Sequence, residues 1–230
     1  MGRRAPEPIV LPPYAPGMRI GVFGGSFNPP HAGHSLVCEI ALRRLRLDRI
    51  WLLVTPGNPL KTSGGLAPTA VRIAETRALI HDPRVRVLDI ETRIGARHTV
   101  DTLSYLVRRA PGARFVWIMG ADNLTDFHRW RRWRALSALM PVAIVDRPGA
   151  TLTATAAKTA VALARFRMPE HDAARLPGAR PPAWVFLHDQ RSALSSTAVR
   201  ARRALAAPDA AATTGTPTPA PERRATKGAH

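Results

Sequence analysis

A strand, a glycine turn and a helix start follow one another near the N-terminus, and that succession limits what the chain can become. The apolar segment Arg19-Ile20-Gly21-Val22-Phe23 reads as a buried parallel strand. It runs into Gly24-Gly25-Ser26-Phe27-Asn28-Pro29-Pro30-His31-Ala32-Gly33-His34, after which residues 36–45 carry apolar side chains at helical spacing. Strand, glycine turn and helix N-terminus together build a phosphate site in α/β proteins. Pro30 suits a first helical turn, where its missing N–H costs nothing. His31 and His34 stand three apart and share one helix face. Gly33 between them leaves room for a ligand to approach the backbone. Helix amides and two imidazoles directed at one spot form a cradle for anionic oxygens, which points to a nucleotide enzyme.

The remaining pattern alternates. Strands are expected at 19–24, 50–55, 85–90, 114–119, 142–146 and 183–188. Helices are expected near 31–46, 68–81, 99–109, 122–139, 153–166 and 196–206. Continuous apolar strands separated by helices imply a parallel sheet covered on both faces. Right-handed crossovers then give an α/β fold with a Rossmann-like, doubly wound sheet. In such a sheet the ligand lies at the carboxyl ends of the strands, where the motif-bearing loops converge. The expected organisation is a disordered leader over 1–17, one domain over 18–206 and a disordered tail over 207–230. The proline-bearing segment 168–182 reads as an irregular surface excursion.

Composition narrows the class further. The formal net charge is +18, yet only three of the 34 basic residues are lysines, Lys61, Lys158 and Lys227. Arginines scattered along an alanine- and proline-rich chain resemble coding bias more than a designed basic stripe. The charge favours triphosphates and promotes loose attraction to polyanions at low salt. A single cysteine excludes an internal disulfide and suits a reducing compartment. Neither a signal peptide nor an eighteen-residue apolar run is present, so a cytoplasmic location without membrane contact is expected. A His-x-x-His pair is also metal-binding equipment, but that reading needs a third ligand, and Cys38 lies further along the same helix. No carboxylate cluster offers a dedicated metal site.

The run ending His31-Ala32-Gly33-His34 resembles the signature of the nucleotidyltransferase superfamily marked by a His-x-Gly-His motif. A second hallmark of that superfamily, Ser-Ser-Thr-x-x-Arg, is matched by Ser195-Ser196-Thr197-Ala198-Val199-Arg200. Among its branches the chain is most similar to the nicotinate-nucleotide adenylyltransferases. Thr55 to Lys61, Thr99 to Leu103, Gly120 to Leu124 and Phe127 to Trp130 support that branch, and the resemblance runs from about Met18 to Leu205.

The resemblance implies attack by a mononucleotide phosphate on the α-phosphorus of ATP, expelling pyrophosphate without a covalent enzyme intermediate. Such chemistry demands positioning and charge neutralisation. His31, His34, Arg200 and Lys61 are the implied catalytic residues, with Lys61 on a proline- and glycine-flanked loop suited to closing on substrate. Gly24, Gly25, Ser26, Phe27, Gly33, Gly120, Asp122, Ser195, Ser196 and Thr197 are implied to hold ATP. Asn28, Thr99, Thr102, Trp130 and Arg131 are implied to hold the acceptor, nicotinate mononucleotide. Magnesium is expected on the ATP phosphates rather than on protein ligands.

Competing readings stand beside these. Thr99, Thr102 and Asp122 sit where helix caps occur, and one hydroxyl of the Ser195–Thr197 trio does too. Trp130 serves either to stack on a pyridine ring or to fill the core, while Trp133 reads as core. Arg131 replaces the aromatic residue that often follows the stacking tryptophan, yet it offers charge to a carboxylate. Nicotinamide mononucleotide and phosphopantetheine are rival acceptors. A basic nucleic-acid-binding face at Arg129–Arg134 would leave the histidine run unexplained, so no specific nucleic-acid partner is expected. A homo-oligomer is left open by the sequence.

Overall fold

Seven strands lie in one sheet in the order β3-β2-β1-β4-β5-β7-β6, and every neighbouring pair is parallel. The computed structural model describes residues 9–57, 65–146 and 157–188. The strands are β1 (Arg19–Gly25), β2 (Arg49–Val54), β3 (Val85–Leu88), β4 (Arg114–Gly120), β5 (Val142–Val145), β6 (Arg167–Met168) and β7 (Trp184–Leu187). Among the described residues the α-helices are α1 (Ala32–Arg44), α2 (Thr69–Leu79), α3 (Ile90–Ile94), α4 (Thr99–Arg109), α5 (Ala121–Asp126), α6 (Trp133–Leu139) and α7 (Lys158–Ala162). The α/β, doubly wound expectation is met, and six of the strands fall within a residue or two of their expected positions.

Alternation along the strands divides the core between two faces. Trp51 and Leu53 of β2, with Phe115, Trp117 and Met119 of β4, join Leu103, Leu106, Leu124 and Leu136 on one face. Ile50, Leu52 and Val54, with Val116 and Ile118, join Val37, Ile40, Ala41 and Leu176 on the other. Both faces are covered, which is why these strands read as unbroken apolar runs.

Three expectations need correction. The segment 9–17 is not part of a free leader: Ile9, Leu11 and Tyr14 pack on the first core face. The Tyr14 hydroxyl donates to the Arg109 carbonyl at 3.2 Å, and its ring stands edge-on to Trp51 at 6.4 Å. The long helix expected over 122–139 is broken into α5, a 3₁₀ turn at Phe127–Arg129, and α6, which begins after Arg132 in the left-handed region at φ 52°. The excursion 168–182 contains β6's last residue and a 3₁₀ helix at Glu170–Gly178, with Ala173 and Leu176 buried. A 3₁₀ helix interrupted by Pro177 lacks the 3.6-residue period that sequence reading detects. Glu170 anchors it by accepting from Arg44 Nη2 at 2.8 Å and from the His188 backbone N–H at 2.8 Å. Among the described residues no helix is long and apolar enough to cross a membrane.

Gly24 is required by the β1–β4 contact: a Cβ built there lies 2.5 Å from the Trp117 ring. Trp117 is 2% exposed and its ring is rigid, so the clash cannot be relieved at a flexible chain end. Gly24→Ala is therefore expected to destabilise the fold by about 1–3 kcal/mol through overpacking. Trp117→Phe in the same chain should recover part of that loss. Urea denaturation checks this; an unchanged midpoint in Gly24→Ala would refute the contact.

Candidate active site

The order of the sheet locates the site. The chain steps outward from β1 through β2 to β3, then returns to lay β4 on the other side of β1. The crevice at the carboxyl ends of β1 and β4 is thus the switch point. The glycine run leaves β1 there, and Gly120-Ala121-Asp122 leaves β4.

His31 and His34 cap α1 reciprocally. His31 is the N-cap, and its Nδ1 accepts from the Gly33 N–H at 3.1 Å. His34 Nδ1 accepts from the His31 N–H at 3.1 Å. The rings face each other with centroids 3.9 Å apart, and both residues are buried. A nitrogen that accepts a backbone N–H carries no proton, so each imidazole holds its proton on Nε2. The reciprocal caps thus leave Nε2 as the N–H donor of each ring, where α1 starts beyond the carboxyl end of β1. Cys38, the alternative metal partner, packs in the second core face with its thiol pushed up to about 12 by burial. It stays protonated there, and among the described residues no group of three or more His, Cys, Asp or Glu side chains gathers as a metal site.

Phe27 supports the pair from behind. Its backbone lies at φ 45°, a region that side-chain-bearing residues rarely adopt. Its ring is 1% exposed, edge-on to Phe23 at 5.5 Å and tilted against His34 at 4.7 Å. Asn28 is buried too. Its Nδ2 donates to the Gly65 carbonyl at 3.0 Å, and its Oδ1 accepts from the Ala67 N–H at 3.1 Å.

Two residues here escaped sequence reading. Arg72 on α2 is 1% exposed and donates to the carbonyls of Ser26, Thr55 and Ala67 and to Thr69 Oγ1, at 2.6–2.9 Å. Nothing distinguishes it in sequence from the many surface arginines. The other is Glu91 on α3, 6% exposed, which accepts from Thr102 Oγ1 at 3.3 Å. Burial pushes the Glu91 carboxyl up to about 7, with the Thr102 hydrogen bond opposing.

The acceptor-side expectations separate. Thr99 opens α4 half-buried, whereas Thr102 is fully buried and its hydroxyl is engaged with Glu91. Trp130 is half-buried, edge-on to Phe127 at 5.3 Å and to Trp117 at 6.3 Å, so it joins the core margin. Trp133 packs beside Phe127, with the Arg134 guanidinium 4.5 Å above its ring. Arg131 lines an open cleft of about 480 Å³ with Arg97, Arg108, Arg132, His98 and Tyr105. Gly120 ends β4 and caps α5, and Asp122 lies exposed in its first turn. Lys61, Ser195, Ser196, Thr197 and Arg200 lie outside the described residues.

Glu91 titrates in a measurable window. Its folded value near 7 lies above the ordinary 4.5, so the folded state holds the proton more tightly than the unfolded chain. Its contribution is favourable at pH 4.5 and below, and stability falls as pH rises toward 7, by on the order of 3 kcal/mol. Glu91→Gln should match the wild type near pH 5 and exceed it in urea midpoint at pH 8. Parallel pH dependences for the two proteins would contradict the buried carboxyl.

Comparison with known proteins agrees with this geometry. A sequence model of the cytidylyltransferase-like family matches residues 22–202. Curated relatives named probable nicotinate-nucleotide adenylyltransferase include one from Methylorubrum extorquens, 62% identical over 80% of this chain and 100% of its own length. Another, from a Bradyrhizobium species, is 54% identical over 80% of this chain and 95% of its own. Among solved structures, the nicotinic acid mononucleotide adenylyltransferase of Plasmodium falciparum complexed with NaAD shares the fold. Its TM-score is 0.60 at 16% identity, covering 80% of this chain and 83% of that one. The chain belongs to the cytidylyltransferase-like family and, within it, to the nicotinate-nucleotide adenylyltransferases.

Proposed function

We propose that this chain transfers the adenylyl group of ATP to nicotinate mononucleotide, forming deamido-NAD and pyrophosphate. The observation that carries this reading is the reciprocal His31–His34 cap, which fixes both rings at the start of α1, beside the β1–β4 switch point, with Nε2 as the N–H donor of each. The names of the curated relatives support it, as does the NaAD complex of the Plasmodium protein.

The acceptor phosphate attacks the α-phosphorus of ATP in line while the bond to pyrophosphate breaks. Negative charge grows on the departing oxygens, and donors already oriented there stabilise it without reorganisation. His31 and His34 supply those donors. The glycine run from Gly24 to Phe27, Gly33 and the β4 exit at Gly120 and Asp122 hold the nucleotide. By their place in the sequence motif, Ser195, Ser196, Thr197 and Arg200 hold the leaving pyrophosphate, and Lys61 adds a further cation. Donor groups of this kind fit phosphate oxygens that carry their own metal: bound to the triphosphate, magnesium neutralises charge and orients the leaving group. The reading carries with it a cytoplasmic location.

On the acceptor side, the cleft holding Arg131 favours a carboxylate. Arg97, Arg108, Arg131 and Arg132 converge on it with one acidic residue, Asp101, beside the start of α4 where Thr99 stands. A site of that charge discriminates an acid from its amide by one full charge. Trp130, the neighbour of Arg131 in the chain, and Asn28 in the glycine turn are the other acceptor-side residues of this reading.

The first test is pyrophosphate release from ATP and magnesium with nicotinate mononucleotide, nicotinamide mononucleotide and phosphopantetheine as separate acceptors. Preference for the nicotinate form is expected, and preference for another would overturn the acceptor assignment. His34→Ala should lower kcat about 100-fold or more while keeping the wild-type far-ultraviolet dichroism, the lost cap costing only about 1–2 kcal/mol of stability. Arg131→Ala should raise KM for nicotinate mononucleotide about tenfold with KM for ATP unchanged; equal effects on both substrates would remove Arg131 from the acceptor site.

A further inference from the structure

The Arg72 guanidinium is an unusual group to bury. Among the described residues no carboxylate pairs with it, and three backbone carbonyls and one hydroxyl receive its N–H groups. Replacing water around a charge by neutral oxygens alone is unfavourable, so a chain that keeps such a group uses its geometry or its charge. The partners show where that geometry is applied. Ser26 belongs to the glycine turn, Thr55 follows β2, and Ala67 and Thr69 lead into α2. Nη1 alone bridges the carbonyls of Ser26, at 2.6 Å, and Thr55, at 2.7 Å. Thr55 in turn donates its N–H to the Gly25 carbonyl at 2.9 Å. The turn is thereby held to the end of β2 at two successive residues.

The next residue is Phe27, whose left-handed backbone persists only where the surroundings over-determine it. Arg72 holds the carbonyl on one side of that backbone. Burial between Phe23 and His34 holds the ring on the other. From Arg72 a short route therefore leads through the Ser26 carbonyl and the Phe27 ring to the His34 imidazole. The same bond acts electronically. In a planar trans peptide the Phe27 N–H points opposite to the Ser26 carbonyl, and a charged donor on that oxygen strengthens the amide toward an anion on the far side.

We propose that Arg72 is a positioning residue for adenylyl transfer, holding the strained Ser26–Phe27 turn that seats His34 and polarising the turn's amide toward phosphate. This rests on the function proposed above. Lysine at this place keeps the charge but cannot bridge Ser26, Thr55 and Ala67 with a planar fork.

The test compares wild type, Arg72→Lys and Arg72→Ala in kcat, KM for ATP, far-ultraviolet circular dichroism and the His34 ring resonances in NMR spectra. Arg72→Lys should keep the wild-type dichroism, lose at least tenfold in kcat with a smaller change in KM, and shift the His34 resonances. Ethylguanidinium at millimolar concentration should restore several-fold activity to Arg72→Ala, and ethylammonium should not. A folded Arg72→Lys with wild-type kcat and unshifted His34 resonances would overturn the proposal. So would equal rescue by the two cations. If Arg72→Ala does not fold, Arg72→Lys decides alone. Wild-type protein that ignores nicotinate mononucleotide would overturn the function instead, and the His34 resonances of Arg72→Lys would then judge Arg72 without reference to turnover.

Discussion

Parallel pairing of β1 with β4 sets two chain exits side by side, and the chemistry of this protein is arranged around that adjacency. The pairing runs in register from Arg19 opposite Arg114 to Phe23 opposite Ile118. Just beyond it, Gly24 lies against the Trp117 ring with no room for a side chain. The turn that follows is therefore pressed close to the sheet, and α1 begins at a defined distance from the end of β4. If that approach loosened, the helix amides, the histidine pair and the Gly120–Asp122 exit would no longer address one volume.

Among the described residues the histidine pair stands at the start of α1, and the arginines lie around it rather than beside the rings. His31 and His34 receive backbone N–H groups on Nδ1, so local helix geometry decides which nitrogen keeps the proton. The guanidinium of Arg72 is bonded to the turn's Ser26 carbonyl, and the cleft arginines lie on or just before α4 and just before α6. For the proposed transfer, in which two polyanions must meet, such an arrangement fits charge drawing them in and donors meeting the reacting oxygens.

Much of this arrangement was legible from residue order. The glycine run, the helix start at His31 and the alternating strands each depend on neighbours within a few positions, and those expectations match the structure. The misses are equally local in cause. The helix expected over 122–139 breaks where Trp130 turns extended and Arg132 left-handed, and no turn residue announces either. The segment 9–17 lacks any period, yet Tyr14 finds Trp51 and the Arg109 carbonyl to pack on. Thr102 reads like its neighbour Thr99 as a helix-start hydroxyl, and burial gives it to Glu91 instead.

The sequence by itself determined the fold class, the glycine turn and the histidine pair, because strand period, turn chemistry and helix capping are written in contiguous residues. Tertiary structure alone decided the burial of Arg72 and Glu91 and the gathering of Arg97 and Arg131 in one cleft. These depend on contacts between residues 11 to 46 positions apart, and the identity of an arginine or a glutamate does not say whether water or protein will surround it.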